Sequence, residues 1–551
     1  MDDFSFILHS NGKEPAPRRY ELPGIPAFKT GQATTEVQVV TATQIIPVCF
    51  FALSERLVSN PAEASWLYHL WNLLFHLGTA GFAWLAGRNV LALTGLLNTD
   101  RERSIAALTG AVLFACHPLC SEPVNYAKCL NSLTVGMFGM MAVAGASKWL
   151  KDGGRGAAAL TIGGLAGATL SYFPGMALAV LWVAILALFR MRSPSIEGKA
   201  GAVNLNWLTK HMKLVVSLTI AATVVLVWNY GGVVRHQLEF WGDRYPSHIW
   251  TQGRLLWVYL AKCLVPVGLC SDHHVPWSTP GQDMGALAGL VAGALLTLSA
   301  FVVIIRRGPG ILRGWALLVL LALLPLLMRF GYVNDEQMVE YRAYPAIPWV
   351  MLMVGVAIVA VAARFPRMHR FPLLTGAALA AVWIILSIQR TQVWSDRGDL
   401  ARDALKQYPL NDRAMTQLQA VAIDSDNLQG VKELHFKILS IANGMAEFNR
   451  RHPGRKFDAG RLSDSILRSY QWMIWATAYT HGSAKGLEWA DKVIETLRTR
   501  MPEKFRLDRS SSGMIPAWPL LTARDAVAAH REEIDVRSKE LAARAQQPGV
   551  Q

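Results

Sequence analysis

Residues 285–305 read GALAGLVAGALLTLSAFVVII, residues 306–310 read RRGPG, and residues 311–329 read ILRGWALLVLLALLPLLMR. The hydrocarbon core of a bilayer takes ~20 apolar helical residues. Two such runs around a short basic turn predict a transmembrane hairpin with the turn on the cytoplasmic side. The same test, carried along the chain, predicts spans over 66–86, 105–120, 126–149, 156–172, 174–190, 214–233, 344–363 and 371–389, ten in all with the opening pair. The run 250–270 is also apolar, but it carries Gln252, Arg254 and Lys262 and reads as interfacial or re-entrant.

Composition agrees. Of 551 residues, 52% are hydrophobic and 17% charged, against roughly 25% charged in soluble domains. The mean hydropathy is +0.26. A disordered chain, a collagen-like chain and a small disulfide-stapled domain are excluded. The net charge of +15 would suggest nucleic acid in a soluble protein. Here much of the excess sits in short loops between apolar runs, so topology accounts for it and no nucleic-acid partner is expected. The six cysteines form no CxxC pair, which argues against a zinc or iron–sulfur site.

The basic loops set the orientation. Arg88, Arg101 and Arg103, then Lys151 and Arg155, then Arg190 to Lys213, then Arg306, Arg307 and Arg313, then Arg364, Arg367 and Arg370 fall in alternate loops and read as cytoplasmic. The opposite, outer side then carries residues 1–60, HPLCSEPVN, the turn at 172–175, the loop 234–284, NDEQMVEYR and everything after Arg390. Both termini are expected outside, in the periplasm if the membrane is a bacterial inner membrane. Residues 1–40 are polar and hold no signal-peptide apolar region. An upstream helix lost from the reading frame, or a reverse anchor at 66–86, would export them.

Three regions are expected: 1–65, a first outer loop with an interfacial helix; 66–390, the multi-span domain; and 391–551, an outer-face helical domain. In the last, residues 402–443 and 466–502 each read as a helix, a short turn and a second helix, the shape of a degenerate tetratricopeptide hairpin. A generic helical domain fits the same pattern. Residues 520–546 read as one final charged helix.

Polar groups at membrane depth are costly, so their clustering invites a functional reading. They gather on the outer side: His117 and Glu122; Asp272, His273 and His274; Asn334, Asp335, Glu336, Glu340 and Arg342; and Asp2 and Asp3. The histidine pair beside Asp272 can bind a divalent metal, though spacing fixes no third ligand and no metal site is assigned. His69 and His76 read as helix–helix hydrogen bonders.

Several segments, in order, resemble the bacterial relatives of the transmembrane and tetratricopeptide-repeat O-mannosyltransferases. These are polytopic glycosyltransferases of the GT-C fold. DDFSFILHSN (2–11) is similar to that family's first outer loop. NPAEASWLYHLWNLLFHL (60–77) resembles its N-P-x-x-x-H-x-x-N-x-x-x-H helix. CHPLCSEPVNY (116–126) resembles H-P-[LI]-x-x-E-[AS]-V. TQGRLLWVYLAKCLVPVGLCSDHHVPWS (251–278) and EYRAYPA (340–346) match two further blocks, and VWSDRGDLARDALKQYPLNDRA (393–414) resembles the link into the repeats. The fold implied is all-α: a GT-C-like polytopic bundle with a degenerate tetratricopeptide-like C-terminal domain.

The resemblance implies transfer of a sugar from a polyprenyl-phosphate-linked donor to a hydroxyl of an exported protein. The C-terminal helical domain would guide this acceptor, and membrane lipid would surround the donor. Asp3, or Asp2, would be the general base. Glu122 would hold acceptor or sugar. Arg342 and Arg254 would bind the donor phosphate, with Glu340 orienting Arg342. His117, Asp272, His273, Glu340 and Tyr344 would line the acceptor and sugar pocket. Asp3, Glu122, Asp272, Glu340 and Arg342 are expected around one cavity. Three charged family positions are neutral here, at Gln44–Ile45, at Leu130 with Ser132, and at Ser171–Phe173. Donor recognition is therefore rebuilt, or transfer is lost and the chain is a membrane-anchored scaffold or assembly factor. A transporter would show internal repeats with broken helices, and the sequence has none.

Overall fold

The computed structural model describes residues 20–21, 38–39, 44–58, 65–191, 242–306, 310–331, 333, 336–365, 370–457, 459–500, 505–506, 515–516 and 518–545. Asp2, Asp3, Asn334, Asp335 and the expected span 214–233 lie outside these residues. The described chain is mostly helical. The first part holds α1 (Ile45–Leu57), α2 (Ser65–Thr94), α3 (Asp100–Ala115), the short α4 (Ser121–Asn125), α5 (Leu130–Asp152), α6 (Arg155–Ser171) and α7 (Phe173–Met191). After the undescribed stretch come α8 (Tyr245–Leu264), α9 (Met284–Ile305), α10 (Gly310–Leu327), α11 (Ile347–Ala363) and α12 (Phe371–Val393).

Among the described residues, four helical stretches are long and apolar enough to cross a bilayer: 127–152, 284–305, 310–331 and 371–393. A fifth arises if α3 and the helical turns after it, bent by 50°, count as one. Inside the protein lie 72% and 61% of the apolar windows of 127–152 and 310–331, but only 17% and 22% of those of 284–305 and 371–393. So α5 and α10 form the centre, and α9 and α12 present apolar faces outward. Within the run 250–270, residues up to Leu264 belong to the continuous helix α8, with Gln252 and Lys262 buried against the bundle and with His248 and Lys262, near its two ends, both meeting the segment 329–340.

Small residues let the helices meet. A Cβ on Gly110 of α3 would stand 2.9 Å from Leu352 Cα of α11, and one on Gly355 would strike the Ala106 carbonyl, so this crossing requires glycine on both sides. In α10, Pro325 has no N–H to give the Leu321 carbonyl one turn earlier. That carbonyl instead accepts the indole N–H of Trp182 from α7, at 2.9 Å. A proline that would leave an orphan acceptor in an apolar core is thereby tolerated. The ends that carry arginines gather together: Gly314 lies against Thr94 and Leu96, Arg313 donates to the Phe189 carbonyl at 3.2 Å and Arg190 to the Leu150 carbonyl at 3.3 Å.

At the other, polar end stands a second group of helices: α13 (Arg397–Gln407), α14 (Asp412–Asp424), α15 (Leu428–Arg451), α16 (Ala459–His481), α17 (Ser483–Arg500), α18 (Trp518–Ala529) and α19 (Arg531–Ala545). Asp396, Asn411 and Asn427 cap α13, α14 and α15 by accepting the backbone N–H groups of Asp399, Ala414 and Gly430. Each helix packs on the next in sequence, as in stacked hairpins. The single helix expected over 520–546 is instead two, broken at His530, because α18 and α19 both fold back onto α16.

Candidate functional site

The polar end is built from the turn after α3, the loop 265–283 after α8, the 3-10 turns Met328–Gly331 and Glu340–Ala343, and the underside of the C-terminal helices. Asn72 of α2 fixes the first of these: its amide donates to the carbonyls of Pro123 and Tyr126 at 3.2 and 3.0 Å. Glu122, buried on α4, accepts the Tyr341 backbone N–H at 2.9 Å. Two segments far apart in sequence are thus joined by one carboxylate.

Glu340 is fully buried. Its Oε1 accepts the Cys270 backbone N–H and His273 Nε2, both at 2.7 Å, with Lys262 Nζ at 3.8 Å. Its Oε2 is buried without a partner. His273 is wholly enclosed, and its other ring nitrogen, Nδ1, meets the Tyr408 hydroxyl at 2.8 Å. Burial pushes the Tyr408 hydroxyl up to about 12, so it keeps its proton at neutral pH.

Two guanidiniums stand near one another at this end. Arg342 donates to the Glu336 carbonyl at 2.6 Å. Arg329 lies close enough to Arg342 for their charges to repel, and its Nε and Nη2 are buried with no hydrogen-bond partner. Tyr259 and Tyr341 flank both. The Arg329 backbone is held by His248, whose Nε2 meets its carbonyl at 2.9 Å and whose Nδ1 meets Gln337 at 3.0 Å. The unpartnered nitrogens of Arg329 beside a second guanidinium are an arrangement that suits an anion. A third guanidinium, Arg390, pairs with Asp403 and leaves Nε and Nη2 buried and unpartnered.

The C-terminal helices close over this end. Arg413 of α14 pairs with Glu336 and reaches Asp272 at 4.0 Å. Burial, the largest single influence, works to raise the Glu336 carboxyl, but the Arg413 guanidinium together with Arg342 holds it below the usual range. The Asn411 amide donates to the Asp272 carbonyl at 3.0 Å. His274 stacks on Phe457 at 4.7 Å. Residues 277–278 pair antiparallel with 455–456, and Asp283 meets both Arg254 and Arg455.

Of the expected site residues, Glu122, Asp272, Glu340, Arg342 and His273 share this end. Glu340 does not orient Arg342 as expected: its bonds go to His273 and Cys270 N–H, while Arg342 is held by the Glu336 carbonyl. Arg254 is structural, bonding the Pro276 carbonyl at 2.9 Å beside Asp283. His117 uses both ring nitrogens, on the Cys263 carbonyl at 3.0 Å and the Leu119 N–H at 3.1 Å, to set the bend after α3. Tyr344 is a brace in the bundle, 3.1 Å from His76 Nδ1, and His76 also meets the Ala115 carbonyl. Among the described residues no group of three His, Cys, Asp or Glu is placed to hold a metal. Sequence reasoning missed Arg329, Arg390, Tyr408 and Arg413. An arginine ending an apolar run was a usable signal for the first two. An open groove of about 360 Å³ lies beside the site between the ends of α3 and α12, walled by Ala115, Cys116, Ile384 and Ile388 with Ser387 and Thr391. No family model, curated protein or solved structure matches the chain.

Proposed function

We propose that the protein is a membrane glycosyltransferase. It moves a sugar from a polyprenyl-phosphate-linked donor to a hydroxyl of an exported protein on the outer face of the membrane. The observation that carries this reading is the pairing of Arg329, whose Nε and Nη2 are buried and unpartnered beside Arg342, with the buried carboxylates Glu122 and Glu340 at one end of an apolar bundle. Carboxylates suit a hydroxyl acceptor, and paired guanidiniums suit a phosphate leaving group. In the transfer, the acceptor oxygen bonds to the anomeric carbon while its proton passes to a carboxylate. The bond from that carbon to the phosphate oxygen breaks, and its electron pair stays on the lipid phosphate next to the guanidiniums. The groove between α3 and α12 offers an apolar path for the prenyl chain.

Ten spans, with both termini on the outer face of a bacterial inner membrane, complete the reading. The positive-inside rule supports it, because the arginine-bearing turns lie at the end opposite the site. Asp3 or Asp2 remains the base that the family resemblance implies. The test compares intact masses of outer-face proteins from cells carrying wild-type, Glu340→Gln or Arg329→Gln protein, or none. Sugar-sized mass increments should need the wild-type gene and disappear in both variants. Identical masses in all four strains would overturn the reading.

A further inference from the structure

The C-terminal domain does more than cover the site. The turn between α13 and α14 enters it: the Asn411 amide holds the Asp272 carbonyl, and Tyr408 points its hydroxyl at His273. The chain of contacts is Tyr408 Oη to His273 Nδ1 at 2.8 Å, then His273 Nε2 to Glu340 Oε1 at 2.7 Å. A phenol that keeps its proton can donate to Nδ1, and in a neutral ring this places the proton on Nε2, where it donates to the carboxylate. Cys270 N–H shares that same oxygen. Oε1 is therefore saturated, and Glu340 is left with one oxygen, Oε2, that takes no hydrogen bond among the described residues. An unpartnered buried carboxylate oxygen is costly unless a ligand satisfies it.

We propose that Tyr408 is a positioning residue. Through the His273 tautomer it anchors Glu340 by Oε1, so that Oε2 is presented to a hydroxyl of the sugar or the acceptor. The identity of that hydroxyl rests on the function proposed above; the positioning itself does not. The site is then shared between the two halves of the protein, and a membrane domain without its helical cap has a misheld carboxylate.

Tyr408→Phe is the discriminating variant, since it keeps the ring packed edge-on to His273 at 5.5 Å and removes only the hydroxyl. Two readouts separate the claims. The first is the solid-state 15N spectrum of histidine-labelled full-length protein in phosphatidylethanolamine–phosphatidylglycerol vesicles, with His273→Gln to assign the signal. Wild type should show a neutral ring protonated at Nε2, and Tyr408→Phe should move most of that signal to the Nδ1-protonated form. An unchanged tautomer in the variant, or a doubly protonated ring in wild type, overturns the assignment. The second readout is transfer from a polyprenyl-phosphate hexose. Tyr408→Phe should lower kcat on the order of 10- to 100-fold, as loss of an outer-shell partner does, with the donor KM within about twofold. Arg402→Ala, on the exposed side of α13, should match wild type. Equal kcat in Tyr408→Phe and wild type would overturn the role. If wild type itself transfers no sugar, the proposed function fails, and the 15N spectra still decide whether Tyr408 positions Glu340.

Discussion

Arg413 is one of the cations that fasten the C-terminal helices to the membrane domain, so Arg413→Ala should loosen that contact without unfolding either part. Its Glu336 partner has a side chain 32% exposed, and a pair this wet contributes about 0–1 kcal/mol. Its Asp272 partner is only 7% exposed. Breaking a buried pair by removing one member costs about 3–5 kcal/mol at ideal geometry. The 4.0 Å separation from Asp272 is long, so we take about 2–3 kcal/mol for the whole substitution. At about 1.4 kcal/mol per factor of ten, the open population should rise about 30- to 150-fold. Hydrogen exchange at the α14 amides reports it, together with proteolysis between α12 and α13. Arg413→Lys should fall between, since a point charge cannot serve two carboxylates as a fork does. Acid should act in the same direction. Glu336 is held below its ordinary range despite burial, so its contribution is present above that range and lost as pH falls through the folded-state value. Exchange within about twofold of wild type in Arg413→Ala would refute the latch, because taking away the cation shared by Glu336 and the buried Asp272 cannot be that cheap.

Arg329→Lys should keep the charge and still reduce donor affinity by about 1–2 kcal/mol, measured as competition by inorganic phosphate or a prenyl phosphate, because the fork is lost. Trp182→Phe should cost about 1–3 kcal/mol in unfolding from mixed micelles, since it orphans the Leu321 carbonyl. The same change in a Pro325→Ala background should cost less, because the restored helical N–H takes that carbonyl over. Burial between α15 and α16 lowers the His435 imidazole to about 4, so the unfolded chain takes a proton near pH 6.5 and the folded domain does not. Stability of the C-terminal domain should therefore fall between about pH 6.5 and pH 4, by about 2 kcal/mol after allowing for solvent near the ring. His435→Gln should flatten that slope in thermal scans.

The sequence made some features legible and hid others for identifiable reasons. The two apolar helices expected within 285–329 are present as α9 and α10 because hydropathy is a local property. The span expected at 66–86 is the front of a longer helix ending at Thr94, since a bilayer-thickness rule does not detect where a helix stops; Gly95, at φ +66°, does that. Nothing around His530 signals the break between α18 and α19, because the bend is imposed by packing on α16. At the site, residue types were legible but pairings were not. His273 lies 67 residues from Glu340 and 135 from Tyr408, and no spacing rule joins positions that distant. Arg254 looked like a phosphate ligand because an arginine in an apolar run is conspicuous, yet Asp283 and the Pro276 carbonyl consume it.

Only Trp394, Ser395 and Asp396 separate the end of α12 from the start of α13. At about 3.3–3.6 Å per extended residue, that link spans roughly 10 Å. The helical cap is thus tethered almost on top of the surface it covers, and its effective concentration there is in the millimolar range or above. Opening is a hinge event within one molecule. Its equilibrium is indifferent to how dilute the protein is, and a severed contact changes how often the cap lifts without ever letting it leave. A cap cut free at Ser395 would face a different law, rebinding in proportion to its own concentration.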